Sequence, residues 1–279
     1  MDEEFGPAAL AIVGGDAEGL RAQLAADAEL ATRRSSVGHP TLLQLVACEA
    51  GQLPNPIETA RVLIDAGAVL EPPLVAAAGC GSSKVVDVLL DCGADIDFGI
   101  DTGIAPECPW TPLDEAIYWC QNDVAARLLA RGARVRALST AAGLGDVFAM
   151  DAFFEENMPT ADAGPIGSPF SDTVPPELAN DRQSILDHAF VMAVNAGQPA
   201  TAVALLARGA EVNAKPPGYH WRGTALHAAC WRGDRDLVRW LLDAGADPTI
   251  RDGLADSDAL GWARHHGHDH LLDLFSSPG

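Results

Sequence analysis

Thr224-Ala225-Leu226-His227-Ala228-Ala229 opens a stretch that continues through Arg232-Gly233-Asp234, Leu237-Val238 and Leu241-Leu242 to Gly245-Ala246-Asp247. The threonine suits a helix N-cap, because its hydroxyl accepts a backbone N–H that the first turn leaves unpaired. The glycine suits the left-handed residue that closes a helix. Between these landmarks there is room for two short helices, an Ala-rich one and one carrying a Leu pair.

The spacing recurs. Thr224 precedes Gly245 by 21 residues, and the same interval separates Thr111 from Gly132, Pro72 from Gly93, His188 from Gly209, Gly6 from Asp27 and Arg136 from Asn157. One copy is longer: Thr41 precedes Gly67 by 26 residues, with Leu53-Pro54-Asn55-Pro56 inserted between its helices. An eighth copy begins near Asp258 and ends with the chain. Gly6-Pro7, Pro72-Pro73 and Thr111-Pro112 place proline at the start of a helix, where its missing N–H costs nothing. The second helices carry Leu89-Leu90, Leu128-Leu129, Leu205-Leu206 and Leu241-Leu242.

This pattern resembles the ankyrin repeat, whose signature T-P-L-H-x-A recurs about every 33 residues. The resemblance implies an all-α ankyrin-repeat solenoid of about eight helix-turn-helix repeats with extended finger loops, running over 1–279 as a single domain. The approximate repeats are 6–35, 39–71, 72–109, 110–135, 136–157, 184–222, 223–256 and 257–276. Residues 158–183, rich in Pro, Gly, Ser and Asp, are expected to form an inserted flexible loop; the alternative is that they separate two sub-stacks. Residues 95–109 and 214–223 extend other fingers. The first and last copies are expected to cap the stack with a polar outer side. The copy from Arg136 to Asn157, which lacks T-P-L-H, is expected to be the least regular.

The resemblance also assigns roles to single residues. His227 fills the slot whose imidazole links neighbouring repeats. His188 falls at the threonine slot and is expected to substitute as a cap. Trp240 and Trp262 stand where core leucines normally pack.

Composition agrees with a folded helical protein. Apolar residues make up 48%, charged residues 20% and aromatics 6% of 279 residues, which excludes a disordered chain and a disulfide scaffold. Alanine, the best helix former, occurs 49 times. The net charge of −21 repels phosphate backbones and anionic lipid, so neither nucleic acid nor membrane is an expected partner. The six cysteines, at 48, 80, 92, 108, 120 and 230, form no C-x-x-C pair and are expected as free, packed thiols of a reducing cytoplasm. Met1-Asp2-Glu3-Glu4 has the wrong charge for a secretory signal, and a cytoplasmic monomer is expected.

No G-x-G-x-x-G, P-loop, G-x-S-x-G or H-E-x-x-H occurs. The repeats leave no room for a catalytic domain, so no enzyme activity and no cofactor are expected. His265-His266-Gly267-His268-Asp269-His270 concentrates four imidazoles. However, Gly267 breaks the helix between them, and His268 fills an ordinary Gly-His slot, so no metal site is assigned. Arg127, Arg131, Arg134 and Arg136 read as a solvated face.

In the family, partners contact the finger turns and the exposed ends of the first helices. Those slots hold Trp110, Tyr118 and Trp119 in one copy, Trp221, Trp231 and Arg232 in another, with Tyr219 on the same finger, and His265 and His266 in the last. Aromatic rings and arginine are enriched at binding hot spots. The competing reading is that the rings cover the stack, Tyr219, His220 and Trp221 folding back over Trp231. The expected function is a non-catalytic scaffold or adaptor for a partner protein with a basic surface. The alternatives are a regulatory or metal-dependent subunit of an enzyme system, using the His-rich last copy, and a small-ligand binder.

Overall fold

The computed structural model describes residues 5–35, 40–100, 109–160, 163–164, 175–178 and 181–275. Among them, fifteen α-helices and a terminal 3-10 helix pair into eight helix-turn-helix repeats. The first four are α1 (Gly6–Gly14) with α2 (Ala17–Ala26), α3 (Leu42–Glu49) with α4 (Pro56–Asp65), α5 (Glu71–Gly79) with α6 (Ser83–Asp91), and α7 (Pro112–Tyr118) with α8 (Asn122–Ala130). The next are α9 (Leu138–Leu144) with α10 (Val147–Asp151), α11 (Arg182–Asn195) with α12 (Pro199–Ala207), and α13 (Ala225–Arg232) with α14 (Arg235–Asp243). The last pairs α15 (Ala259–His265) with the 3-10 helix Asp269–Phe275. The chain has an all-α ankyrin-repeat architecture, as the spacing implies.

The helices gather into two compact units. One holds the described residues up to Ile100 together with Thr111–Arg134; the other holds Pro109, Trp110 and those from Val135 onward.

In the first unit, first helices stack on first helices through α1, α3, α5 and α7, and second helices on second helices through α2, α4, α6 and α8. Leu42, Leu43, Leu63, Leu74, Leu89 and Leu113 are fully buried between these layers, each stabilising by about 1.5–3 kcal/mol. Arginines of α8 reach carboxylates of the preceding repeat: Arg127 Nη1 to Asp87 Oδ2 at 2.7 Å and Arg131 Nη2 to Asp91 Oδ1 at 2.8 Å. Arg134 joins Asp97 in the same way. The expected solvated arginine face is exposed at Arg127, Arg131 and Arg134, which also pair across repeats. The N-terminal cap departs from the expected polar outer side, since Leu10 and Val13 are 61% and 48% exposed. Asp27 is extended at φ −143° and caps a 3-10 helix, Ala28–Ala31, rather than closing α2 in a left-handed turn.

In the second unit, α9, α11, α13 and α15 form the first layer. The caps follow the sequence. Thr111 and Asp114 form a reciprocal box in the first unit, and Thr224 and His227 in the second. The closing glycines are left-handed, as at Gly245, φ +94°, where nothing lies within 4 Å of a would-be Cβ. That site demands only a backbone conformation. Gly233 demands room as well: its φ is +70°, and a Cβ there would meet the His268 ring at 2.7 Å.

Two expectations are corrected. His188 caps nothing: it lies inside α11, which starts at Arg182 behind the Asp181 cap. Asn157 is left-handed, φ +69°, but closes no helix. Instead, α10 ends at Asp151, and Phe154–Glu155 (β1) pairs antiparallel with Met158–Pro159 (β2). Glu156 and Asn157, both at positive φ, form the two-residue turn that suits such a hairpin. The least regular copy is thus the expected one.

Of residues 158–183, Met158 and Pro159 belong to β2, Pro176–Leu178 is a 3-10 helix, and Arg182 and Gln183 begin α11. Residues 161–162, 165–174 and 179–180 lie outside the described residues, as do 101–108. Among the described cysteines only Cys230 is buried; Cys80 and Cys92 are exposed. The packed-thiol expectation therefore holds for one of them. Cys108 lies outside the described residues.

Candidate partner-binding surface

The ends of the first helices hold the expected aromatic residues, but these residues differ in access. In the first unit Tyr118 is buried at 3% exposure and meets Trp119 edge-on, with centroids 5.3 Å apart. Trp119 itself is half-buried. Its indole Nε1 donates to Glu115 Oε1 at 3.0 Å, one turn back along α7. The ring can lie across the preceding repeat because Gly79 has no side chain: a Cβ there would sit 3.0 Å from Trp119 Cδ1 and 2.7 Å from Glu115 Oε1.

In the second unit Trp110, Tyr219 and Trp221 are buried at 5%, 1% and 6% exposure. The finger 214–223 folds inward, though not over Trp231. Tyr219 stacks on the His188 ring at 4.7 Å and donates its hydroxyl to the His188 carbonyl at 3.0 Å. Trp221 packs on Tyr219 at 4.9 Å and on Trp262 at 5.5 Å. Burial takes Trp110, Tyr118, Tyr219 and Trp221 away from a partner and gives them to the core. The competing reading, that these rings fold back, holds for Tyr219 and Trp221, but their receiver is different: the groups that meet Tyr219 lie about 30 residues upstream, in another repeat.

Trp231 and Arg232 stay half-buried, and His265 and His266 are exposed. Arg232 Nη1 donates to the Asn195 carbonyl at 3.0 Å, laying the guanidinium across the end of α11. The Trp231 ring meets His266 edge-on at 6.5 Å. Beside these residues runs a groove of about 460 Å³ lined by Leu254, Ala255, Ser257, Gly261, Trp262, His265 and His266. Trp262, expected in the core, is half-buried and forms one wall; Trp240 is also half-buried.

Asp252 organises that wall. It is buried at 4% exposure and accepts the backbone N–H groups of Leu254, Ala255 and Ser257 and the Trp262 indole N–H at 3.0 Å. Burial alone would raise its pKa, but these donors hold it below the ordinary carboxylate range. The signal in sequence was Asp252-Gly253, a turn pair that the repeat spacing alone does not single out.

The two buried histidines contrast. His227 Nδ1 accepts the Thr224 backbone N–H at 3.1 Å, so the proton sits on Nε2, which donates to the Ser257 carbonyl of the next repeat at 3.2 Å. The expected inter-repeat link is present. His188 Nε2 has no hydrogen-bond partner, and burial drives its pKa down to about 3. In the last repeat His268 and His270 contact the carbonyls of Trp231 and Gly233 through Nε2 at 3.0 and 2.9 Å. Two of the four clustered imidazoles are thereby committed to holding the repeat in place. Among the described residues no group of three His, Cys, Asp or Glu is arranged to hold a metal ion, and no helix is long and apolar enough to cross a membrane.

A family model described as ankyrin repeats (many copies) matches residues 188–242, which span most of α11 through most of α14. No curated protein matches the chain. Among solved structures, the human ASB11 ankyrin repeat domain is similar at 19% identity, with 98% of this chain and 99% of that chain covered and a TM-score of 0.42.

Proposed function

We propose that the chain, whose residues 188–242 match the ankyrin-repeat family model, is a non-catalytic scaffold or adaptor that binds a partner protein through the ends of its first helices. Ankyrin repeats generally mediate protein–protein interaction. The observation that carries the proposal is the access left at Trp119, Trp231, Arg232, His265 and His266. Tyr118 and the finger aromatics are buried, yet Trp119, Trp231 and Arg232 are only half-buried and His265 and His266 are exposed. Trp119 is anchored by Glu115 and Arg232 by the Asn195 carbonyl, so little side-chain entropy is lost when a partner covers these two. The groove beside Trp262 admits a partner side chain. The net charge of −21 favours a basic partner surface, acting mainly on the rate of association.

An affinity capture from native lysate, with wild type against the Trp119→Ala/Trp231→Ala variant, tests this reading. Wild type is expected to retain a partner that the variant loses, with both proteins melting at the same temperature. Retention of the same partner by both would place binding elsewhere. Collapse of the variant would show the two rings to be structural.

A further inference from the structure

Three rings at the end of α15 wall the groove of the last repeat. Trp262 and His266 stand 6.2 Å apart between centroids with their planes tilted by 50°, and His265 meets His266 at 5.0 Å with the planes at 90°. The rings therefore face the groove from different directions, and the groove holds about 460 Å³. Leu254, 64% exposed, and Ala255 add an aliphatic wall. Trp262 is held in place by Trp221 at 5.5 Å and by the edge-on His227 ring at 5.6 Å.

Asp252 sets the electrostatic character of this wall. Its buried carboxylate accepts the Trp262 indole N–H at 3.0 Å, which places a negative charge at the rim of the aromatic face that attracts cations best. Residues 251–270 set four aspartates against two arginines, and one of those arginines, Arg251, is already paired with Asp256 at 3.4 Å. Burial and the neighbouring His265 and His268 hold the His266 pKa below the ordinary imidazole value, so that wall carries little positive charge at neutral pH.

We propose that this groove receives a cationic side chain, an arginine or lysine of a basic segment of the partner, with its charged end against the Trp262 face and its aliphatic stem along Leu254 and Ala255. The inference rests on the partner-binding reading above and adds the chemical group that the groove selects. An apolar side chain would fill the same space but gain nothing from Asp252 or from the acidic surroundings, and an acidic one would be repelled by both.

The full chain is titrated at neutral pH with a capped glycine–serine pentapeptide carrying arginine at its centre, and with the same peptide carrying citrulline, the uncharged isostere of arginine. High salt screens non-specific attraction to the acidic chain, and the tryptophan indole N–H resonances report where the peptide sits. The arginine peptide is expected to shift the Trp262 resonance and to bind roughly three- to thirtyfold more tightly than the citrulline peptide, the range a cation over an indole face supplies. Trp262→Leu keeps an apolar wall and is expected to erase that preference; should it unfold the last repeat, the peptide pair on wild type still decides. Equal affinity for the two peptides, no shift at Trp262 with millimolar peptide, or a preference that a folded Trp262→Leu protein retains overturns the proposal. Equal peptide binding beside a native partner that wild type captures and Trp119→Ala/Trp231→Ala loses would leave the adaptor reading standing without this site. A preference for arginine with no captured partner would do the reverse.

Discussion

Within the second unit, the repeat opened by Thr224 and the stretch from Val135 to Gly209 carry the same spacing and fold differently. Asp146 caps α10 as Asp234 caps α14, each accepting a backbone N–H three residues on, at 2.9 and 3.0 Å. From that shared start α14 runs to Asp243 and buries Leu237, Val238 and Leu241, while α10 stops at Asp151 and buries only Met150. Aligned on their caps, Ala149 stands where α14 has Leu237, and Phe153-Phe154 stands where α14 has Leu241-Leu242. A cap starts a helix, but tertiary burial of an apolar stripe sustains it. With that stripe weakened, the chain closes as a hairpin and leaves Phe148 89% exposed. The histidines repeat the lesson. His227 sits in a short helix that satisfies both ring nitrogens; His188 sits in a long helix that leaves one bare.

The largest expected effect separates those two histidines by pH. Burial holds the folded-state pKa of His188 at about 3, far below the ordinary imidazole value of 6.5. The unfolded chain therefore binds the proton more readily, and stability falls as pH drops through 6.5 towards 3. The slope approaches about 1.4 kcal/mol per pH unit inside that window. Burial raises the pKa of neighbouring Asp187, which acts in the opposite sense over its own range. His188→Leu removes the histidine contribution alone. Denaturant midpoints measured from pH 7 to pH 4 are expected to flatten in this variant, with little loss at neutral pH. His227→Leu is expected to cost about 1–3 kcal/mol at neutral pH, because the buried Thr224 N–H loses its acceptor. Equal losses for the two variants at pH 7 would erase the distinction between them.

A smaller effect tests the two repeat ends. Gly245→Val forces a β-branched residue into a left-handed conformation and is expected to cost about 1–3 kcal/mol. Asn157→Gly acts at an equivalent spacing but in a hairpin turn that favours glycine, so it is expected to be neutral or slightly stabilising. Thermal melts of both variants decide it; a loss at Asn157→Gly comparable to that at Gly245→Val would mean that the two ends share one geometry.

These contrasts mark what sequence could and could not say. Caps and closing glycines were legible because each records a local backbone demand in one residue: Thr111 at a start, Gly245 at an end. The inter-repeat role of His227 was legible because the motif assigns that slot its role and supplies Thr224, three residues back, to fix the ring. The fate of Tyr118, Tyr219 and Trp221 was not, since a ring at an exposed slot is buried or open according to what another repeat offers it. Tyr219 finds the His188 carbonyl, and Trp119 stays partly open although Gly79 lets it settle. Cys120, left-handed at φ +57° where neighbouring repeats use glycine, was likewise invisible, because nothing in its residue type announces that conformation.

The smallest expected effect concerns how the irregular repeat is held. Arg208, at the end of α12, pairs with Asp151 at the end of α10, and its guanidinium lies 4.4 Å over the Phe154 ring of the hairpin. Asp151 is 55% exposed, so the ion pair alone is expected to contribute about 0.2–1 kcal/mol. The stacking contact adds about 0.5–1 kcal/mol and does not need the carboxylate. A double-mutant cycle over Arg208→Ala and Asp151→Ala is expected to give a coupling at the low end of that range, shrinking in high salt as exposed charges are screened. The same cycle over Arg208→Ala and Phe154→Ala is expected to give a coupling that salt leaves in place. If salt abolishes both, charge rather than the ring holds α12 to the hairpin, and the shortened α10 depends on ionic strength in a way that α14, anchored by buried leucines, does not.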